Sequence, residues 1–106
     1  METFDFEDGN GPVPAHKHVY GGGWVANTTY VSKTAYVGPD ARVYDSARVY
    51  DSARVYGYAR VFGSAQVSGS AQVSGNTRVS GYARVSGSAQ MSGNTRVCGY
   101  AWVSGD

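Results

Sequence analysis

An all-β solenoid of triangular cross-section, fronted by a short N-terminal arm, is the fold this sequence predicts. Three observations carry it. Valine recurs every six residues, as Val25, Val31, Val37, Val43, Val49, Val55, Val61, Val67, Val73, Val79 and Val85, then Met91, Val97 and Val103. Whole segments return after 18 residues: GSAQ at 69–72 and 87–90, GNTRV at 75–79 and 93–97, GYA at 81–83 and 99–101. Finally, the 106 residues include 15 Gly but no Leu or Ile, which fits strands and turns rather than helices.

The 14 hexads each read as one short strand and one corner. A small residue, usually Ala, stands two positions before the Val, so both point to the same side of an extended chain. From position 57 onward a Gly stands two positions after it, where a corner needs positive φ. A strand this short cannot bury its Val alone, so hexads must stack. Three hexads per repeat mean three faces per coil, with 18 residues per coil and between four and five coils over 24–106. At Pro39 the corner must use another turn, because proline cannot reach positive φ. Asp45 and Asp51 tolerate the left-handed region, so their corners are expected to be normal.

The pattern A-R/Q-V-S/Y-G-S/N/Y resembles the hexapeptide repeat of parallel β-helix proteins. That resemblance covers residues 24–106 and implies a left-handed parallel β-helix, where the general crossover rule favours the right hand. The opening DGNGPVPAHKHVYGGGWV resembles the head of short hexapeptide-repeat proteins of phages and mobile elements. That second resemblance implies no particular activity.

Residues 1–23 form an acidic arm or cap, with Glu2, Asp5, Glu7 and Asp8 against Lys17. The body is basic, with seven Arg and Lys33 against four Asp. Gly21, Gly22 and Gly23 lack the context of a phosphate loop and read as a flexible lead-in. Phe4 and Phe6 are expected to tuck over the top coil or onto a neighbouring subunit. With no 18-residue apolar run, no membrane partner is expected. The acidic N-terminus does not look like a secretory signal, which points to the cytoplasm, or the host cytoplasm for a phage-encoded chain.

The residues before each Val fall into three outward columns: Trp24, Arg42, Arg60, Arg78, Arg96; Tyr30, Arg48, Gln66, Arg84, Trp102; and Tyr36, Arg54, Gln72, Gln90. Stacked guanidinium groups repel, so something should neutralise them. One reading is an anionic partner held by Arg42, Arg60, Arg78, Arg96, Arg48 and Arg84, with Tyr44 and Phe62 stacking a base. The other is that the Arg lie over aromatic neighbours, meet Asp45 and Asp51 of another subunit, or are covered by the acidic arm.

The repeat runs to the last residue without a capping helix, and open edges pair with something. A homo-oligomer is therefore expected. The family resemblance favours a trimer, and the bare end allows an end-to-end dimer with Trp102, Tyr100, Phe4 and Phe6 at interfaces. His16 and His18 are weak metal candidates without an evident third ligand. Cys98 falls in an outward Ser column and reads as a plain thiol.

The related acyltransferases use a His near an extruded loop, and no loop interrupts these hexads. The related carbonic anhydrases place three His on the helix, whereas both His here precede it. A non-enzymatic reading without cofactor is preferred: an oligomeric binding module for an anionic partner such as a nucleotide, a nucleic-acid backbone, an acidic protein or a host complex. A counter-defence role would be one instance. A purely structural scaffold and a degenerate acyltransferase-like protein are the alternatives.

Overall fold

The computed structural model describes residues 2–6, 9 and 11–105. Among them there is no helix, and every regular element is a strand. The arm supplies β1 (Thr3–Asp5) and β2 (Pro12–Lys17), and β3 (Trp24–Ala26) begins the coil. Strands then follow every six residues, from Tyr30–Val31 to Trp102–Gly105.

Stacked strands pair in parallel with an 18-residue offset. On the first face Val25, Val43, Val61, Val79 and Val97 are in register. The second face aligns Val31, Val49, Val67, Val85 and Val103. The third aligns Val37, Val55, Val73 and Met91. The chain is therefore a parallel β-solenoid of about four turns, each coil three short strands and three corners. The Val and Ala columns point inward as their two-residue spacing requires, and together form one apolar core.

Two kinds of corner occur. From Asp45 to Gly99 the second corner residue has positive φ, including 64° at Asp45 and 62° at Asp51. The Asp45 and Asp51 carboxylates also accept bonds of 3.2 Å from the Gly63 and Gly69 amides one coil on. At Asn27, Lys33 and Pro39 φ is not positive, and the corners close through tighter amide-to-carbonyl bonds of 3.0 Å. Where Thr replaces the inward Ala, its hydroxyl closes the corner instead, as from Thr77 to the Ser74 carbonyl at 2.6 Å.

The arm extends the first face. β1 pairs antiparallel with β2, and β2 antiparallel with β3. Phe6, Ala15, Ala26 and Tyr44 form a second buried cluster, with Phe4, Val13, Trp24 and Phe62 packed against it. Phe6, expected at the top coil or at a subunit interface, is instead 1% exposed within its own chain. Phe4 is half-buried beside it. An aromatic arm laid on outward aromatic residues removes more apolar surface from water than one laid across the coil end. The acidic Glu7, Asp8 and Asp106 lie outside the described residues.

The glycine run is a tight clasp rather than a flexible lead-in. The Gly23 amide bonds to the Val37 carbonyl at 2.9 Å, and the Val37 amide bonds to the Tyr20 carbonyl at 3.1 Å. A Cβ on Gly23 would sit 2.2 Å from the Gly38 carbonyl oxygen, so only glycine allows this approach.

Candidate anion-binding groove

All three outward columns form as the spacing predicts. On the first face Trp24, Arg42, Arg60, Arg78 and Arg96 stand in register. Strand spacing puts successive rungs about 4.8 Å apart. The arm then divides this column. Phe4 stacks on Trp24 at 4.8 Å, and the Arg42 guanidinium lies 5.0 Å from the Phe4 ring centre. Phe6 stacks on Tyr44 at 4.9 Å, and Tyr44 on Phe62 at 5.0 Å. Tyr44 is thus 4% exposed and sandwiched between two rings, which corrects the expectation that it could stack a ligand base. Phe62 has one face taken by the same stack.

Below the arm, Arg60, Arg78 and Arg96 line one side of a groove of about 470 Å³. Tyr58, Asn76 and Asn94, stacked on the adjoining corner, line the other. No carboxylate is among the lining residues. Arg78 and Arg96 are exposed, and Arg60 is half-buried. The Asn76 amide donates to the Asn94 carbonyl oxygen at 3.1 Å, a rung-to-rung bond running beside the arginines. These corner residues went unnoticed in the reading of the outward columns. The signal was present: Tyr58, Asn76 and Asn94 each stand three positions after an inward Val or two before an Arg, 18 residues apart.

The remaining predicted arginines do not join this groove. Arg48 lies on the second face in a hollow of about 630 Å³ with Thr28, Tyr30, Ser46 and Tyr50. Arg84 lies lower on that face, its guanidinium 5.2 Å from the Trp102 ring centre. Gln66 separates the two and accepts a bond from the Tyr50 hydroxyl at 3.3 Å. The expected single set of six arginines is therefore split over two faces, because successive hexads turn a corner.

The interface candidates fall elsewhere again. Tyr100 stacks in parallel on Tyr82 at 5.1 Å, and both Tyr100 and Trp102 are strongly exposed. Cys98 is an exposed free thiol.

The two histidines do not converge. His18 is buried and its Nε2–H donates to the Ala35 carbonyl at 2.8 Å. His16 is exposed, with Nδ1 2.6 Å from the Asn27 carbonyl oxygen. Each ring is committed to its own partner, and no cluster of three potential metal ligands exists among the described residues.

Fold and groove define a short parallel β-solenoid with a polar, cationic face. The family model described as the YdcK beta solenoid repeat matches residues 41–57, 53–69 and 71–88, each close to one coil. These coils are similar to that repeat and carry Arg42, Arg48, Arg54, Arg60, Arg78 and Arg84. No curated protein and no solved structure matches the chain.

Proposed function

We propose that this protein is a non-catalytic binding module that holds an anionic partner in the groove between the Arg60–Arg78–Arg96 column and the Tyr58–Asn76–Asn94 corner. The observation that carries this reading is the stacking of three guanidinium groups in register, with no carboxylate among the residues lining the groove. Each rung repels the next, and an anion that bridges them removes that repulsion while accepting forked hydrogen bonds. The chain is read as a short left-handed hexapeptide-repeat protein acting as an oligomer in the cytoplasm. Engagement of a host complex, as the head segment suggests, would be an instance of the same binding.

The test is calorimetric titration of the whole chain with inorganic tripolyphosphate. Binding should be salt-sensitive, and Arg78→Ala with Arg96→Ala should weaken it more than tenfold while the circular dichroism spectrum stays the same. An unchanged affinity in the double variant would sink this reading.

A structural scaffold is the second reading, favoured by the exposed Tyr82, Tyr100 and Trp102. Sedimentation of the double arginine variant separates the two. If it loses its oligomeric state rather than anion binding, the arginines are interface residues and the scaffold reading stands.

A further inference from the structure

The groove joins two chemistries, and their combination narrows the ligand. Along one wall run three guanidinium groups about 4.8 Å apart, a track for a chain of phosphates rather than a socket for one. At one end of the other wall stands Tyr58, 67% exposed although it lines the groove. The other strongly exposed tyrosines of that kind, Tyr82 and Tyr100, cover each other. Tyr58 has no stacked ring among the described residues: Asp40 and Asn76 occupy the corner positions one coil before and after it. Next to it, the Asn76–Asn94 bond uses one amide donor and one carbonyl acceptor. The Asn76 carbonyl and the Asn94 amide remain to meet a polar edge.

From this juxtaposition we infer that the groove takes a nucleoside polyphosphate, its base stacked on Tyr58 and its phosphates laid along Arg60, Arg78 and Arg96. The inference rests on the anion-binding reading above and specifies its ligand. Competing anions fit the walls less well. A lone phosphate leaves most of the track and all of Tyr58 unused. A single-stranded nucleic acid needs successive aromatic platforms, and one ring lines this groove. An acidic peptide presents carboxylates on one side of a strand every second residue, about 6.6 Å apart, out of step with rungs at about 4.8 Å. The groove volume of about 470 Å³ lies in the range of small-molecule sites.

The experiment compares ATP with inorganic tripolyphosphate on the whole chain by calorimetry, with a thymidine octanucleotide as third probe. ATP should bind about tenfold more tightly than tripolyphosphate, a ratio within the range of one base–aromatic stack. Tyr58→Ala should bring ATP down to the tripolyphosphate level and leave tripolyphosphate unchanged, and Tyr58→Phe should restore the difference. Equal affinities in the unaltered protein would overturn the nucleoside assignment while leaving the anion groove standing. A tighter octanucleotide than ATP would overturn it in favour of a polymer. Binding of none of the three would overturn the groove as well. Tyr58 is exposed, so its replacement should leave the melting temperature unchanged, and a fall would mark a structural role instead.

Discussion

The Phe6 ring lies 4.9 Å from that of Tyr44, with planes 19° apart, and this stack fastens the arm to the coil. Phe6→Ala should cost about 3–5 kcal/mol at the arm, the usual range for emptying a buried phenylalanine site. Hydrogen exchange provides the check. The Ala15 amide, bonded to the Glu2 carbonyl at 3.1 Å, and the Asn27 amide, bonded to the Pro14 carbonyl at 2.9 Å, should exchange faster. Val79 in the middle of the first face should stay protected. Equal acceleration at both places would mean that arm and coil unfold as one unit.

Arg42 and Arg78 are identical by sequence position and differ in surroundings. Arg42 lies over Phe4, so Arg42→Ala should lower stability by about 0.5–1 kcal/mol through the lost cation–π contact. It should leave tripolyphosphate affinity within twofold. Arg78→Ala should do the reverse, weakening the anion several-fold with little change in melting temperature. Calorimetry and thermal melts on the two single variants read both effects.

The corner glycines separate backbone strain from close packing. Gly57 has φ of 66°, and a Cβ there would lie 2.8 Å from the Gly75 nitrogen. Gly99 has φ of 67° with open space around it. Gly99→Ala should cost about 1–2 kcal/mol from left-handed strain alone, and Gly57→Ala should cost more. Gly57→Asp should be milder than Gly57→Ala. Asp tolerates this φ, and its carboxylate can reach the Gly75 amide as Asp45 reaches that of Gly63. Denaturant melts of the three variants rank them.

Gly23 and Gly22 make a matching pair in the clasp. Alanine at Gly23 would press on the Gly38 carbonyl at 2.2 Å and on a Val37 methyl at 2.5 Å. At Gly22 it would meet nothing within 4 Å, and only its φ of 80° opposes it. Gly23→Ala should therefore lose about 1–3 kcal/mol by overpacking and detach the 18–23 segment from the third face. Gly22→Ala should keep that segment in place. Exchange at the Val37 amide distinguishes them.

The coil was legible because its two periods are independent of chain-distant contacts. Val every six residues assigns inside from outside, and the 18-residue return counts the faces. The Asp45 and Asp51 corners followed from the tolerance of Asp for positive φ. What the spacing could not reveal was where the arm goes. Tyr44 looks outward by position, and only the packing of Phe6 buries it. Gly21–Gly23 looks permissive by composition, and only the nearness of Val37 makes it obligatory. The groove was half legible: the Arg column is a direct product of the period, but Tyr58, Asn76 and Asn94 vary in chemistry along their corner and escape a search for like residues.

The 18-residue offset also makes the groove a ruler that can be lengthened. A second copy of residues 69–86 inserted after Ser86 keeps every Val in phase and adds one more asparagine and one more arginine to the two walls. The cationic track would then grow by a single step of about 4.8 Å, with the fold and the arm untouched. Capacity for a longer phosphate chain is thus set by whole coils, in discrete increments that the chain can gain or lose without redesigning any contact.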